Sequence, residues 1–187
     1  GIYSSLSNVV TQMLFVIDIL LIGFLMNDAE TVTSYKYVSL IPISLLFLPR
    51  AFINTDFVVF TENIYNKKYI IKYIKSYVLL FLIISIILGS LLIGFSKYII
   101  ILVIGVSGIL ILRGLFGNLL SSIGKAHVNF YITSIALLIN ITSNFYLIPK
   151  FGITGAAITS ASLMWFTGLT SSIVFWHLYN KRFLSKK

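Results

Sequence analysis

Two stretches decide the fold class: YVLLFLIISIILGSLLIGF, residues 77–95, and YIIILVIGVSGILILRGLFGNLL, residues 98–120. The first carries no charge and the second only Arg113. Each matches the ~20 mostly apolar residues that an α-helix needs to cross the hydrocarbon core of a bilayer. Working outward from this pair, four more stretches qualify: residues 8–26, 38–60, 128–148 and 153–178. The reading is an all-α, polytopic membrane bundle of six transmembrane helices filling one domain, residues 1–187. The stretch 38–60 is the least regular, because Pro42 and Pro49 lie inside it together with Arg50, Asn54 and Asp56. Prolines are tolerated in membrane helices when neighbours satisfy the freed carbonyls, so it is read as a kinked span.

Composition agrees. Of 187 residues, 58% are hydrophobic and 10% charged, against about 25% charged in an ordinary soluble domain. That much apolar surface on a soluble domain of this size would be exposed in aggregation-prone patches. The net charge of +9 is carried by lysines between apolar runs and at the end of the chain. Anionic lipid headgroups are therefore the expected partner, and nucleic acid is not. The chain has no cysteine and opens on Gly1 without a charged leader, so it is expected to be a piece of a longer polypeptide.

Orientation follows from the basic residues of the short connections. If residue 8 starts on the cytoplasmic side, the inside segments hold Lys67, Lys68, Lys72, Lys75, Lys125, Lys181, Arg182, Lys186 and Lys187, which is nine. The outside loops hold Lys36, Lys97 and Lys150, which is three. Both ends are therefore expected inside. Within residues 63–76, Lys68, Lys72 and Lys75 fall on one helical face, with Tyr69, Ile70, Tyr73 and Ile74 on the other. That pattern fits a cytoplasmic interfacial helix, or a solvated linker whose charge sets the topology. The longest outside loop is expected at residues 27–37.

Soluble-type chemistry has no foothold. His127 and His177 stand at membrane edges without a carboxylate or thiol at ligand spacing, so no metal site, catalytic residue or cofactor is expected. Gly105, Gly108, Gly114 and Gly117 lie in an apolar span and read as close helix packing. The informative residues are the intramembrane charges, each costing roughly 2.5–3.5 kcal/mol at mid-bilayer on insertion scales when unpartnered. Asp18 and Arg50 lie near the centres of consecutive antiparallel spans, while Asp56 and Arg113 are displaced to the cytoplasmic side. Depth permits the pairs Asp18–Arg50 and Asp56–Arg113. Arg113 has the alternative of snorkelling to the inner headgroups, and Asp56 that of marking an early helix end. Asn140 and Asn144 share a face at i, i+4 and read either as helix glue or as substrate contacts.

The segment NITSNFYLIPKFGITGAAIT, residues 140–159, resembles the signature of bacterial polysaccharide flippases of the O-antigen type. In that family an Asn-rich helix ends in Leu-Ile-Pro, turns at Gly and re-enters through Gly-Ala-Ala. IDILLIG at 17–23, Tyr35-Lys36-Tyr37 and Gly124-Lys125 are similar as well. The resemblance implies membership of the multidrug/oligosaccharidyl-lipid/polysaccharide exporter superfamily, whose members have two six-helix lobes. This chain would be the second lobe, with the first missing. It further implies a non-enzymatic function: moving undecaprenyl-pyrophosphate-linked oligosaccharide across the bacterial plasma membrane for surface polysaccharide synthesis. Implied partners are lipid, the lipid-linked substrate, the missing lobe and other polysaccharide-assembly membrane proteins. Arg50, Arg113, Asn140 and Asn144 are then substrate-binding candidates, and Asp18 and Asp56 ion-coupling or counter-ion candidates. A drug exporter of the same superfamily is the runner-up, and a membrane glycan polymerase or ligase a more distant reading.

Overall fold

The computed structural model describes residues 2–45, 47–92 and 97–184. The described residues are helical, with short connections and no strand. In chain order the helices are α1 (Ile2–Met26), α2 (Ala29–Ser44), α3 (Phe47–Glu62), α4 (Lys67–Leu92) and α5 (Lys97–Gly108). A π segment (Ile109–Arg113) joins α5 to α6 (Gly114–Ser122), and α7 (Ala126–Phe151) and α8 (Ile153–Leu184) follow. Among the described residues, five spans are long and apolar enough to cross a membrane: Ser5–Met26, Lys67–Leu91, Lys97–Ser122, Ala126–Phe151 and Ile153–Lys181. These are the elements of a multi-pass membrane protein.

The expected kinked span at 38–60 differs. It is divided between α2 and α3, each of 16 residues and so about 24 Å long at 1.5 Å per residue, short of the ~30 Å hydrocarbon core. The break has a local cause. Pro49 has no N–H for the carbonyl of Leu45, four residues earlier. The helix accordingly stops at Ser44 and restarts at Phe47. The loop expected at 27–37 is helical from Ala29, because Asp28 caps α2. Its Oδ1 accepts the Glu30 N–H at 3.1 Å and its Oδ2 accepts the Thr31 hydroxyl. Residues 67–76 run without a break into the apolar part of α4, and Asn66 caps this helix by accepting the Tyr69 N–H at 3.2 Å.

Contacts at the helix ends fix which ends lie together. The Tyr179 hydroxyl donates to Ile64 O at 2.8 Å, and the rings of Tyr3 and His127 lie 6.0 Å apart. This end gathers Lys67, Lys68, Lys72, Lys75, Lys125 and Lys181. At the opposite end the Phe24 and Phe145 rings lie 6.5 Å apart, and Lys97 and Lys150 belong there, whereas Lys36 lies about 10 Å in from the start of α2, next to Tyr35, which reaches Asp18. The charge asymmetry along the chain is thus also an asymmetry between the two ends of the bundle.

Packing rests on small residues. A Cβ on Gly105 would stand 2.5 Å from Ala161 Cα, and one on Gly168 would stand 3.0 Å from Gly108 O. Helices α5 and α8 therefore touch backbone to backbone, the close approach that drives association where lipid removes the hydrophobic effect. One residue, Gly152 (φ 58°), turns α7 into α8, and a Cβ on Gly155 would lie 2.5 Å from Leu147 O. One core cluster gathers Phe60, Ile70, Phe81, Leu115, Leu119 and Phe175. A second gathers Leu21, Ile22, Tyr35, Leu102, Ile148, Ala156 and Ala157.

Two predictions follow from this packing. Gly105→Val should destabilise the bundle by about 1–3 kcal/mol through overpacking. Gly89→Ala, where nothing lies within 4 Å of the new Cβ, should be neutral; thermal melts of the detergent-solubilised chain compare the two. The Asp28 carboxyl is held below its ordinary range by the Thr31 hydroxyl and then by the Glu30 N–H. Its capping of α2 should therefore be present above the unfolded value of about 3.9 and lost as pH falls through the lower folded value. Amide exchange at Glu30 and Thr31, compared with Asp28→Ala, reads that loss.

Candidate functional site

Asp18 lies in α1, in the run Ile17-Asp18-Ile19, and is 3% exposed. A carboxylate at that depth needs donors on every lone pair, and three other helices supply them. From α7, Asn140 Nδ2 and Asn144 Nδ2 donate to Oδ1 at 3.0 and 2.8 Å. From α2, the Tyr35 hydroxyl donates to Oδ2 at 3.2 Å, and from α8 the Ser160 hydroxyl donates to the same oxygen. Asn144 Nδ2 also donates to Asn140 Oδ1 at 3.0 Å. Asn144 Oδ1 is buried and has no hydrogen-bond partner among the described residues.

The two carboxylate oxygens differ chemically. Oδ1 faces two amide groups that only donate. Oδ2 faces two hydroxyls, each of which can rotate to accept instead. The four donors can satisfy an ionised carboxylate, and the hydroxyls on the Oδ2 side can equally accept from a protonated one.

A second polar group lies further along α7. Arg113, the last residue of the π segment, is partly buried. Its Nη1 donates to Asn129 Oδ1 at 2.8 Å and to Ser171 Oγ at 3.0 Å. Among the described residues these neutral groups are its hydrogen-bond partners. Asn129 is in turn oriented by donating to Gly117 O at 2.7 Å. Gly117 makes room for the guanidinium, since a Cβ there would stand 3.1 Å from Nη1.

Between these groups is a cavity of about 610 Å³. Arg113, Asn129, Thr133, Asn140 and Ser160 line it, and α1 contributes Ser7, Asn8, Thr11 and Gln12. Asn140 and Ser160 face the cavity and also bond Asp18, so the carboxylate stands directly behind the cavity wall.

The structure brings together Asp18, Asn140 and Asn144 in one cradle and places Arg113 and Asn140 on one cavity. It does not form the pair Asp56–Arg113: the recorded partner of Asp56 is the Tyr73 hydroxyl, at 3.2 Å. Depth allowed that pairing, but Arg113 is turned toward Asn129 of α7 and Ser171 of α8. The side chain of Arg50 lies outside the described residues, and so does the pairing Asp18–Arg50. Tyr35 and Ser160 were missed as site residues. Ser160 reads in sequence as one small residue in a run of them, with no periodic signal to single it out. The polar row Asn8, Thr11 and Gln12 on α1 was legible by its i, i+3, i+4 spacing.

The cradle makes a stability prediction. A double-mutant cycle of Asp18→Leu and Asn144→Leu should show a coupling of about 0.5–3 kcal/mol, as for residues in one hydrogen-bond network. Asp18→Leu with Asn129→Leu should be additive within about 0.5 kcal/mol. Chemical unfolding in mixed micelles measures both.

No protein-family model, curated protein or solved structure matches this chain.

Proposed function

We propose that this chain is one lobe of a bacterial flippase that carries undecaprenyl-pyrophosphate-linked oligosaccharide from the inner to the outer leaflet of the plasma membrane. In this reading α2 and α3 together form one broken span, so that six spans leave both ends in the cytoplasm. The observation that carries it is the polar cavity with Arg113 on its wall and Asp18 behind it, inside an otherwise apolar bundle. Ionisable groups within membrane segments mark substrate and ion pathways, because their desolvation cost is otherwise uncompensated. A guanidinium suits phosphate oxygens by bidentate donation. The sugar–pyrophosphate head requires such a hydrated, cationic environment, while the lipid tail stays in the bilayer. Asp18 is the coupling-ion site, and rocking of one lobe against the other exposes the cavity alternately. The resemblance at residues 140–159 supplies the substrate class.

Two measurements test this. In the full-length transporter, Arg113→Gln and Asp18→Asn should each reduce surface polysaccharide at least tenfold at unchanged membrane abundance. Normal export by both variants would remove the reading. The chain has no native cysteine, so single cysteines at the exposed positions Ala29 and Glu62 report topology. An impermeant thiol reagent added outside should label position 29 and spare position 62.

A further inference from the structure

Asn129, Thr133, Ala136, Asn140 and Asn144 are all buried, and their spacing places them on one face of α7. One end of that face holds Arg113 through Asn129, and the other holds Asp18 through Asn140 and Asn144. The two charges are opposite, yet each is cradled by neutral groups, and the cavity opens on the row between them. Asn129 and Asn140 are eleven residues apart, about 16 Å along the helix.

We infer that Arg113 forms an anion subsite inside this lobe for phosphate- or sulfate-type oxygens, and that its occupation is linked to the arrival of positive charge at Asp18. Several observations give the subsite its anion chemistry. The guanidinium spends Nη1 on Asn129 and Ser171, no carboxylate neutralises it among the described residues, and it lines the cavity. Linkage follows from electrostatics. An ionised Asp18 repels an anion at Arg113, and a proton or monovalent cation on the Oδ2 side removes that repulsion. With about 16 Å taken as their separation and an effective dielectric near 20, a unit charge at Asp18 changes the occupancy of a monoanion about fivefold and of a dianion such as sulfate about thirtyfold. Coupling is reciprocal, so an anion at Arg113 strengthens cation or proton binding at Asp18 by the same factor. Tyr35 is the titratable residue hydrogen-bonded to Asp18, and its hydroxyl is already a donor to the carboxylate. The lobe is thereby loaded with anion and cation together, close to electroneutrality. This deepens the transport reading and rests on the same cavity. Binding to the purified chain is measured apart from export, so failure of one is distinguishable from failure of the other.

The experiment is calorimetric titration of the 187-residue chain in nanodiscs with sulfate, whose charge stays constant between pH 5 and 8, in gluconate buffers. Arg113→Gln should weaken sulfate binding at least tenfold. Gly117→Ala, which crowds Nη1 without removing the charge, should weaken it less, and it carries the test if Arg113→Gln does not fold. Asp18→Asn should bind sulfate about thirtyfold more tightly than wild type at pH 8. Wild-type affinity should rise by the same factor on lowering the pH to 5 or on adding sodium at pH 8, and Asp18→Asn should lose both responses. Sulfate binding that is absent from wild type, or unchanged in Arg113→Gln or, if that variant does not fold, in Gly117→Ala, overturns the subsite. Wild-type affinity indifferent to both pH and sodium overturns the linkage, and needs no substitution to be observed. So does a gain that persists in Asp18→Asn.

Discussion

A carboxylate buried inside an apolar bundle constrains everything packed around it, and Asp18 is that group. Its charge has left water, and the compensation comes from three helices at once: Tyr35 from α2, Asn140 and Asn144 from α7, and Ser160 from α8. Donors spread over several helices make the arrangement cooperative, since displacing one helix leaves the charge under-satisfied in a low dielectric. The neighbouring core reflects the same constraint. Leu21, Ile22, Tyr35, Ile148, Ala156 and Ala157 pack within a turn or two of the cradle, and the alanines let α8 come close enough for Ser160 to reach. Rotation of α7 about its axis is likewise fixed, because its two amides must face α1.

The π segment performs the corresponding task for Arg113. Gly105 and Gly108 of α5 face α8, against Ala161 and Trp165. In an unbroken α-helix the same face would pass next through Ile111 and Leu112, at i+3 and i+4 from Gly108. The wider turn admits one more residue, and Arg113 is carried toward α7 and α8, where Asn129 and Ser171 receive it. Single π turns are often found at functional sites because they re-aim a side chain that regular periodicity would point elsewhere. Here the side chain so aimed is the guanidinium on the cavity wall.

How much of this was legible depended on which physical signal carried it. Apolar runs long enough for a bilayer reveal α4 and the span from α5 to α6 at sight, because lipid demands length and hydropathy together. The i, i+4 amides Asn140 and Asn144 and the central Asp18 stand out for the converse reason, as polar groups in the wrong solvent. The broken stretch was less legible. Proline chemistry points to a distortion between Pro42 and Pro49, and the missing Pro49 N–H supplies a local cause, but the same chemistry is compatible with a kink as well as with a stop. The capping group Asp28-Ala29-Glu30-Thr31 is a readable signal for the start of α2 that hydropathy alone does not carry. Arg113 was visible as a charge, but its partners were not, since a π turn leaves no trace in helical periodicity. Ser160 had no signal beyond its small size.

The way these charges are held bears on what the bundle can do. A buried salt bridge between Asp18 and Arg113 would have compensated both charges and closed both to ligands. Instead each is surrounded by neutral hydrogen-bonding groups, and the two sit along one polar face of α7 beside a cavity. Neutral cradles stabilise a charge only in part, which leaves a favourable interaction for a mobile counter-charge to make. Asn144 Oδ1, buried and unpaired among the described residues, has the same character on a smaller scale, an acceptor kept dry without a donor. Incomplete satisfaction of this kind destabilises a protein whose only task is to fold. A counter-charge or donor that reached these groups would complete the pairing, as burial of an uncompensated charge is costly.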